Sequence, residues 1–449
     1  AALPDHAARR AMSTTRRRGM RRPDTWVRVG LAIVLLLGLL ADSYAIYRIH
    51  VQRLGNALDF YPFWAGGREV VLNRHSPYDP AVMLSIQEAI YGRPALPGEN
   101  QHGYAYPAYA PLVTLPFLLL PFPISASLWI ASQQILAVAA VALTAQATGW
   151  RIGWGHMILL SLVAMTFRYS MITFVLGQTS IWVLCSLALA LWAAGRKHNI
   201  LAGLALAVSA VKPQLVILPA LSLLMSLPSR QRKRMFLALV GATVLLAGYS
   251  WILAGPWLAD YWQQLQAYQG YSTTQFPVTA WTETWLPGPV SQVLNVVVIA
   301  ALLGMLVVVL WRWRGSGQAA FPVALAVVVS QLVVPQTGSY NLVTLLLPAV
   351  VALHYLSSRH RRGHLLTLGG RVLVWADLLV VPWLLWPVVQ SERGGPLDQI
   401  AVPALMLVVM LGVIVGTIGR ERRATHRSNY RLRPNDRYEM MIRERSDSK

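Results

Sequence analysis

The sequence predicts an all-α polytopic membrane protein of about 10–13 transmembrane or re-entrant helices, because lipid forces every backbone group to be bonded internally. Three observations predict it. Hydrophobic residues fill 55% of the 449 positions and charged residues 13%, against about 25% charge in ordinary soluble domains. Eleven apolar runs approach the roughly 20 residues that a helix needs to cross the hydrocarbon. The basic residues gather between those runs and at the two ends of the chain.

The runs lie near residues 28–49, 107–122, 125–148, 156–176, 178–194, 234–254, 290–312, 318–334, 341–357, 370–389 and 399–418. Of 39 Lys and Arg, 28 flank them: seven between Arg9 and Arg22, ten between Arg420 and Lys449, and eleven in clusters at 196–197, 230–234, 312–314 and 359–362. Short Lys- and Arg-rich loops stay in the cytoplasm. The net charge of +21 therefore reads as a topology signal rather than a nucleic-acid surface. It predicts a multi-pass protein of the inner or plasma membrane with both termini cytoplasmic. Residues 1–27 form a basic cytoplasmic segment, 28–418 the membrane domain and 419–449 a basic cytoplasmic tail. The first run is too long for a signal peptide and is read as an uncleaved span.

Residues 199–228 are apolar except around Lys212, Pro213 and Gln214, yet both flanks are basic. A single span would put one flank outside, so the stretch predicts a hairpin of two short helices broken at Lys212 and Pro213. The alternation of sides also fails between residues 107 and 194 unless a segment there, such as 156–176, is broken or re-entrant. Two long loops face outward, about 50–106 and 255–289, and the first carries apolar residues at the helical spacing of interfacial helices.

Asp59 opens the first outer loop. A carboxylate there could act as a general base or cap the following helix. Lys212, inside an apolar hairpin, suits a lipid-linked phosphate, or else pairs with a buried acid such as Asp42 or Asp377, or snorkels. Arg168 carries the same alternatives. The second loop holds Trp257, Tyr261, Trp262, Tyr268, Tyr271, Trp281 and Trp285 with Asp260 and Glu283, a composition fit for sugar rings or for interfacial anchoring. Gln178 after Gly177, and Gln336 with Tyr340 in PQTGSYN, could supply hydrogen bonds or cap helix ends. The chain has no GxxxxGK, GxGxxG or Asp-x-Asp pattern, no HExxH or similar metal spacing among its ten histidines, and one cysteine, Cys185. No cofactor is expected, no metal ligands are assigned and a metal requirement is left open, and any donor is expected from the membrane or from outside.

The stretches DFYPFWAGGREVVLNRHSPYDP, YAYPAYAPLVTLPFLLLPF and GQTSIWVLCSLALALWAAGRKHNILAGLALAVSAVKPQLVILPAL resemble, in order and spacing, the glycosyltransferase 87 family. That family includes polyprenol-phosphate-mannose-dependent mannosyltransferases of GT-C architecture, with a catalytic carboxylate in the first outer loop. The resemblance implies a polyprenyl-phosphate sugar as donor, a lipid or glycan acceptor at the outer face of the bilayer, and a monomeric enzyme. It implies Asp59 as general base, Lys212 with Pro213 near the donor phosphate, and Gly177 with Gln178 as the family's Gly-Gln pair; Arg168 is a further candidate at the phosphate, and Arg68, Tyr78, Gln178, Gln336, Tyr340 and Glu283 are the candidate substrate-binding residues. Where mannosyltransferases of the family carry a Ser-Pro-x-x-Trp and His-rich motif, this chain reads VVPQTGSYNLV, with Gln336, Tyr340 and Asn341. The sugar is therefore left open between mannose and another hexose or pentose. The rivals are a lipid-linked-sugar flippase or transporter, expected to show inverted repeats, and an O-antigen polymerase or ligase, expected to carry its large loop late.

Overall fold

Proline breaks two of the apolar stretches, 107–122 and 199–228. The computed structural model describes residues 25–55, 58–271, 276–283, 285–335, 338–357, 364–389 and 397–431, and no strand occurs among them. Helix α1, Thr25–Ile46, is followed by a π turn at Tyr47–Val51. The loop that follows supplies two helices, α2, Phe60–Arg68, and α3, Pro80–Tyr91. The start of α3 is set by Pro80 and by Asp79, whose carboxylate accepts from the Ala81 N–H at 2.8 Å.

The run 107–122, expected to be a span, is not one. Pro107, Pro111, Pro116 and Pro121 punctuate it, and it forms only the one-turn helices Ala110–Val113 and Leu115–Leu118. Apolar composition there reflects packing: Trp64 and Arg68 of α2 donate to the carbonyls of Leu120 at 3.2 Å and Leu118 at 2.6 Å. The next long helix is α4, Phe122–Ala147. Helices α5, Trp154–Thr166, and α6, Arg168–Leu176, are one broken pair bent by 54° at Phe167, as expected for 156–176.

Helix α7, Ser180–Gly195, leads to the hairpin, which appears as read from the sequence. It consists of α8, Asn199–Ser209, and α9, Pro213–Ser226, with Lys212 at the N-cap of α9 and Pro213 in its first turn. After it come α10, Ser229–Ala254, the second-loop helices α11, Leu258–Tyr271, and α12, Pro277–Thr282, then α13, Gly288–Arg312, and α14, Ala320–Val333. A 3₁₀ segment, Ser339–Leu345, runs into α15, Leu346–Ser357. Helix α16, His364–Leu379, bends by 44° into short turns ending at Val389, and α17, Leu397–Arg431, closes the described chain.

Five of these helices are long and apolar enough to cross a membrane, and up to seven if each bent pair counts as one span. Four shorter apolar helices, α7, α8, α9 and α14, accompany them. The protein is a multi-pass membrane protein. The helices sort radially. The segment Ser339–Ser357 is 89% buried over its apolar window, whereas α10 is 6% and α13 17% buried. Helices that face lipid keep an apolar surface because hydrocarbon is their solvent, while those inside contact one another through small residues. At Gly203 of α8 an added Cβ would lie 2.5 Å from the Met235 carbonyl oxygen, so that glycine permits the close approach of α10.

Candidate functional site

The site grows from the turn between α6 and α7. Gly177 ends α6 in the left-handed region, φ +71°, and a Cβ there would lie 2.8 Å from the Cβ of Phe60. Phe60 stacks on Trp129 of α4 with ring centroids 4.7 Å apart, and the Trp129 indole N–H donates to the Gly177 carbonyl at 2.8 Å. Loop helix α2 is thereby seated on the helix bundle, and the residue before Phe60 is Asp59.

Asp59 occupies the N-cap position of α2, but its carboxylate makes no capping bond. Oδ2 accepts instead from Gln178 Nε2 at 2.8 Å. Gln178 Oε1 accepts from Lys212 Nζ at 3.0 Å, and from the Tyr106 hydroxyl at 3.5 Å. Because a lysine can only donate and an ionised carboxylate only accept, the orientation of the Gln178 amide between them is determined. Lys212 Nζ also donates to Ser180 Oγ at 2.9 Å and Asn341 Oδ1 at 3.2 Å, so its three N–H groups are all engaged. The Ser180 hydroxyl in turn donates to Asn341 Oδ1 at 2.8 Å, and the ammonium stands 4.6 Å from the ring centroid of Tyr340. Lys212 is buried, and it neither snorkels nor pairs with Asp42 or Asp377; its partners are neutral side chains, and the first carboxylate along the network is Asp59.

Burial raises the Asp59 carboxyl above the ordinary carboxylate range, while the Gln178 hydrogen bond, then His102 and Lys212, pull it back down. Burial lowers the imidazole of His102, against an opposing pull from Asp59. His102 shares a 2.9 Å hydrogen bond with the Tyr91 hydroxyl at the end of α3. From the second long loop, Tyr268 of α11 comes close enough for the Asp59 charge to raise its phenol further beyond the effect of burial. Thus a carboxylate, an imidazole, two tyrosines and an amide held by a lysine surround one region at the junction of the two long loops.

The other expected residues take separate places. Tyr78 donates to the Tyr106 carbonyl at 2.6 Å and packs against Tyr104 and Tyr261, joining α11 to the first loop. Arg68 holds the proline-broken segment and lies over Trp64 at 4.9 Å. Arg168 is buried in an ion pair with Asp398 of α17 at 3.1 Å, with its guanidinium 4.2 Å from the Trp386 ring centroid. Glu283 is exposed at the end of α12. Gln336 lies outside the described residues. Among the described residues no three His, Cys, Asp or Glu side chains group as metal ligands.

Sequence reasoning missed Ser180, Tyr106 and His102, and did not see that Asn341 holds Lys212. Ser180 had a signal, since it stands two residues after Gln178 in GQTS; the others meet across the fold and had none.

These features define a multi-pass helical membrane protein with a half-buried, network-held carboxylate beneath two long interhelical loops. The model of glycosyltransferase family 87 matches residues 104–335, more than half of the chain, and the protein belongs to that family of membrane glycosyltransferases. No curated protein and no solved structure matches the chain.

Proposed function

We propose that the enzyme transfers a sugar from a polyprenyl-phosphate donor to a lipid or glycan acceptor on the extracytoplasmic face, with inversion, using Asp59 as general base. The observation that carries this reading is the hydrogen-bonded line from Asp59 through Gln178 to Lys212. It joins the first-loop carboxylate to the Gly-Gln turn and the Lys-Pro hairpin. Asp59 takes the proton of the acceptor hydroxyl as the oxygen attacks the anomeric carbon, and the bond to the donor phosphate oxygen breaks. A carboxylate made more basic by burial accepts that proton more readily, provided that it stays ionised. The Gln178 amide and the charge behind it help to keep it so.

Lys212 has no spare N–H for a phosphate in this arrangement. Contact with the leaving phosphate would require it to exchange one of its three acceptors, so its first role in the proposal is to orient Gln178 and place positive charge behind the site. Arg168, neutralised by Asp398, is not invoked. Tyr106, Tyr268 and His102 furnish polar aromatic walls for a sugar ring.

The proposed sidedness is supported by the loss of 107–122 as a span. With α4 returning inward and the bent α5–α6 pair crossing once, the basic clusters at 196–197, 230–234 and 312–314 fall on one side. The charge rule makes that side cytoplasmic. Asp59 and the Lys212 hairpin tip then lie outside. The test is incubation of purified protein with a panel of polyprenyl-phosphate sugars, scored for release of polyprenyl phosphate. Asp59→Asn is expected to lose about 10²–10⁴-fold in turnover. Wild-type rates in a well-folded variant would remove the general-base role.

A further inference from the structure

A cavity lies away from Asp59, at the far end of α8 from Lys212. It measures about 890 Å³ and lies where α7, α8 and α10 meet. Lys197, His198 and Arg234 supply its charge, Trp192 and Leu237 part of its apolar wall, and no acidic residue lines it. Asn199, also in the lining, is 7% exposed, and its Oδ1 has no hydrogen-bond partner. A second cavity of about 370 Å³ is lined by Arg232, Lys233 and Ser229 with Phe236. Cations of the cluster 230–234 thus line both, Arg234 the first and Arg232 and Lys233 the second.

The electrostatics at this place are unbalanced. Helix α10 begins at Ser229 with four cations among its first six residues and no acid in its first turn, although a helix N-terminus itself favours negative charge. The same helix is only 6% buried over its apolar window, and Ile200 and Leu237 beside the cavity are 64% and 58% exposed. Cations without an acid in the lining, an orphaned buried acceptor and an apolar wall open to hydrocarbon occur together.

We infer that this cavity binds an anionic glycerophospholipid of the surrounding leaflet, with the phosphodiester between Lys197 and Arg234, a headgroup hydroxyl donating to Asn199, and the acyl chains along Ile200 and Leu237. A phosphodiester supplies the negative charge that Lys197, His198 and Arg234 face with no acidic residue in the lining, and the hydroxyl supplies the donor that Asn199 Oδ1 lacks. A soluble polyanion or a cytoplasmic protein would leave the apolar wall without a role. The site is independent of the reading of Asp59.

Native mass spectrometry of the full-length protein in detergent, titrated with phosphatidylglycerol or phosphatidylcholine, tests the inference. The wild type is expected to retain phosphatidylglycerol saturably and to prefer it over phosphatidylcholine. K197A/R234A should weaken that binding roughly thirtyfold, from the usual effect of two cations near a lipid surface. R312A/R314A removes equal charge elsewhere and should leave the preference intact. Leu237→Trp, which keeps the charge and fills the cavity, should also weaken binding, and Asn199→Leu should weaken phosphatidylglycerol more than phosphatidic acid, which lacks the headgroup hydroxyl. Equal losses from the two double variants would show general charge attraction and overturn the site. So would binding of phosphatidylcholine as tight as phosphatidylglycerol, or competition by soluble glycerol phosphate at the lipid's own concentration.

Discussion

Asp59 stands in a conflict between stability and work. Burial raises its pKa, so the folded protein favours the protonated form, and the stability this contributes is lost as pH rises through the folded-state pKa. The proposed activity needs the ionised form and so rises over the same interval. Asp59→Asn keeps an acceptor for Gln178 without the buried charge. Its thermal midpoint at neutral pH should match or exceed that of the wild type while turnover collapses, checked by paired melting and transfer assays. Lys212 separates two roles. If it orients Gln178, Lys212→Met lowers kcat by about tenfold or more, the cost of unpaired buried acceptors, with the donor KM little changed. If it holds the phosphate, the donor KM rises instead. Lys212→Arg should not rescue, because a planar guanidinium cannot feed three converging acceptors as an ammonium does. At the buried ion pair, Arg168→Ala strands Asp398 and should cost about 3–5 kcal/mol, whereas removing both charges should recover most of it. Thermal melts of the single and double variants measure the difference.

At the scale of elements, the turn at Gly177 sets where the first loop sits. Gly177→Ala must adopt a left-handed backbone and push Phe60, a combined cost of roughly 1–3 kcal/mol. The expected result is a lower melting temperature together with a loss of transfer larger than the stability change explains, since α2 carries Asp59. The hairpin α8–α9 was legible from residues 199–228 because proline acts locally, through its own ring and missing N–H. The run 107–122 misled for a related reason. Its hydropathy is that of a span, but four prolines prevent one, and in a folded protein a short apolar segment can be covered by neighbouring aromatic residues rather than by lipid. The expected break in 156–176 occurs at Phe167, where no proline marks it. That bend follows from the packing around it, with Arg168 tied to Asp398 across 230 positions.

For the whole molecule, the proposed orientation predicts accessibility. Cys185 is the sole cysteine and is buried. After replacing it, Glu283→Cys should react with a membrane-impermeant maleimide from outside intact cells, and Lys197→Cys only after permeabilisation. Both positions are exposed, so a reversed pattern would invert the topology rather than report burial. The apolar content that identified the protein as a membrane protein says little about which helix lies where. The most peripheral long helix, α10, and the most enclosed segment, Ser339–Ser357, are both apolar enough to span. Their radial order comes from small side chains and close approaches that hydropathy does not record.

The sequence by itself determined the class of the protein, the helical content, the hairpin at Lys212 and the family, because composition, proline and basic loops act on short stretches. It also marked Asp59, Gln178, Lys212 and Tyr340 as candidates. Only the tertiary structure decided that Asp59 is held by Gln178 rather than capping its helix, that Lys212 spends its protons on Gln178, Ser180 and Asn341, and that Arg168 is committed to Asp398. Those outcomes depend on hydrogen bonds between residues 32 to 230 positions apart, whose directions are set by the packing of several helices at once.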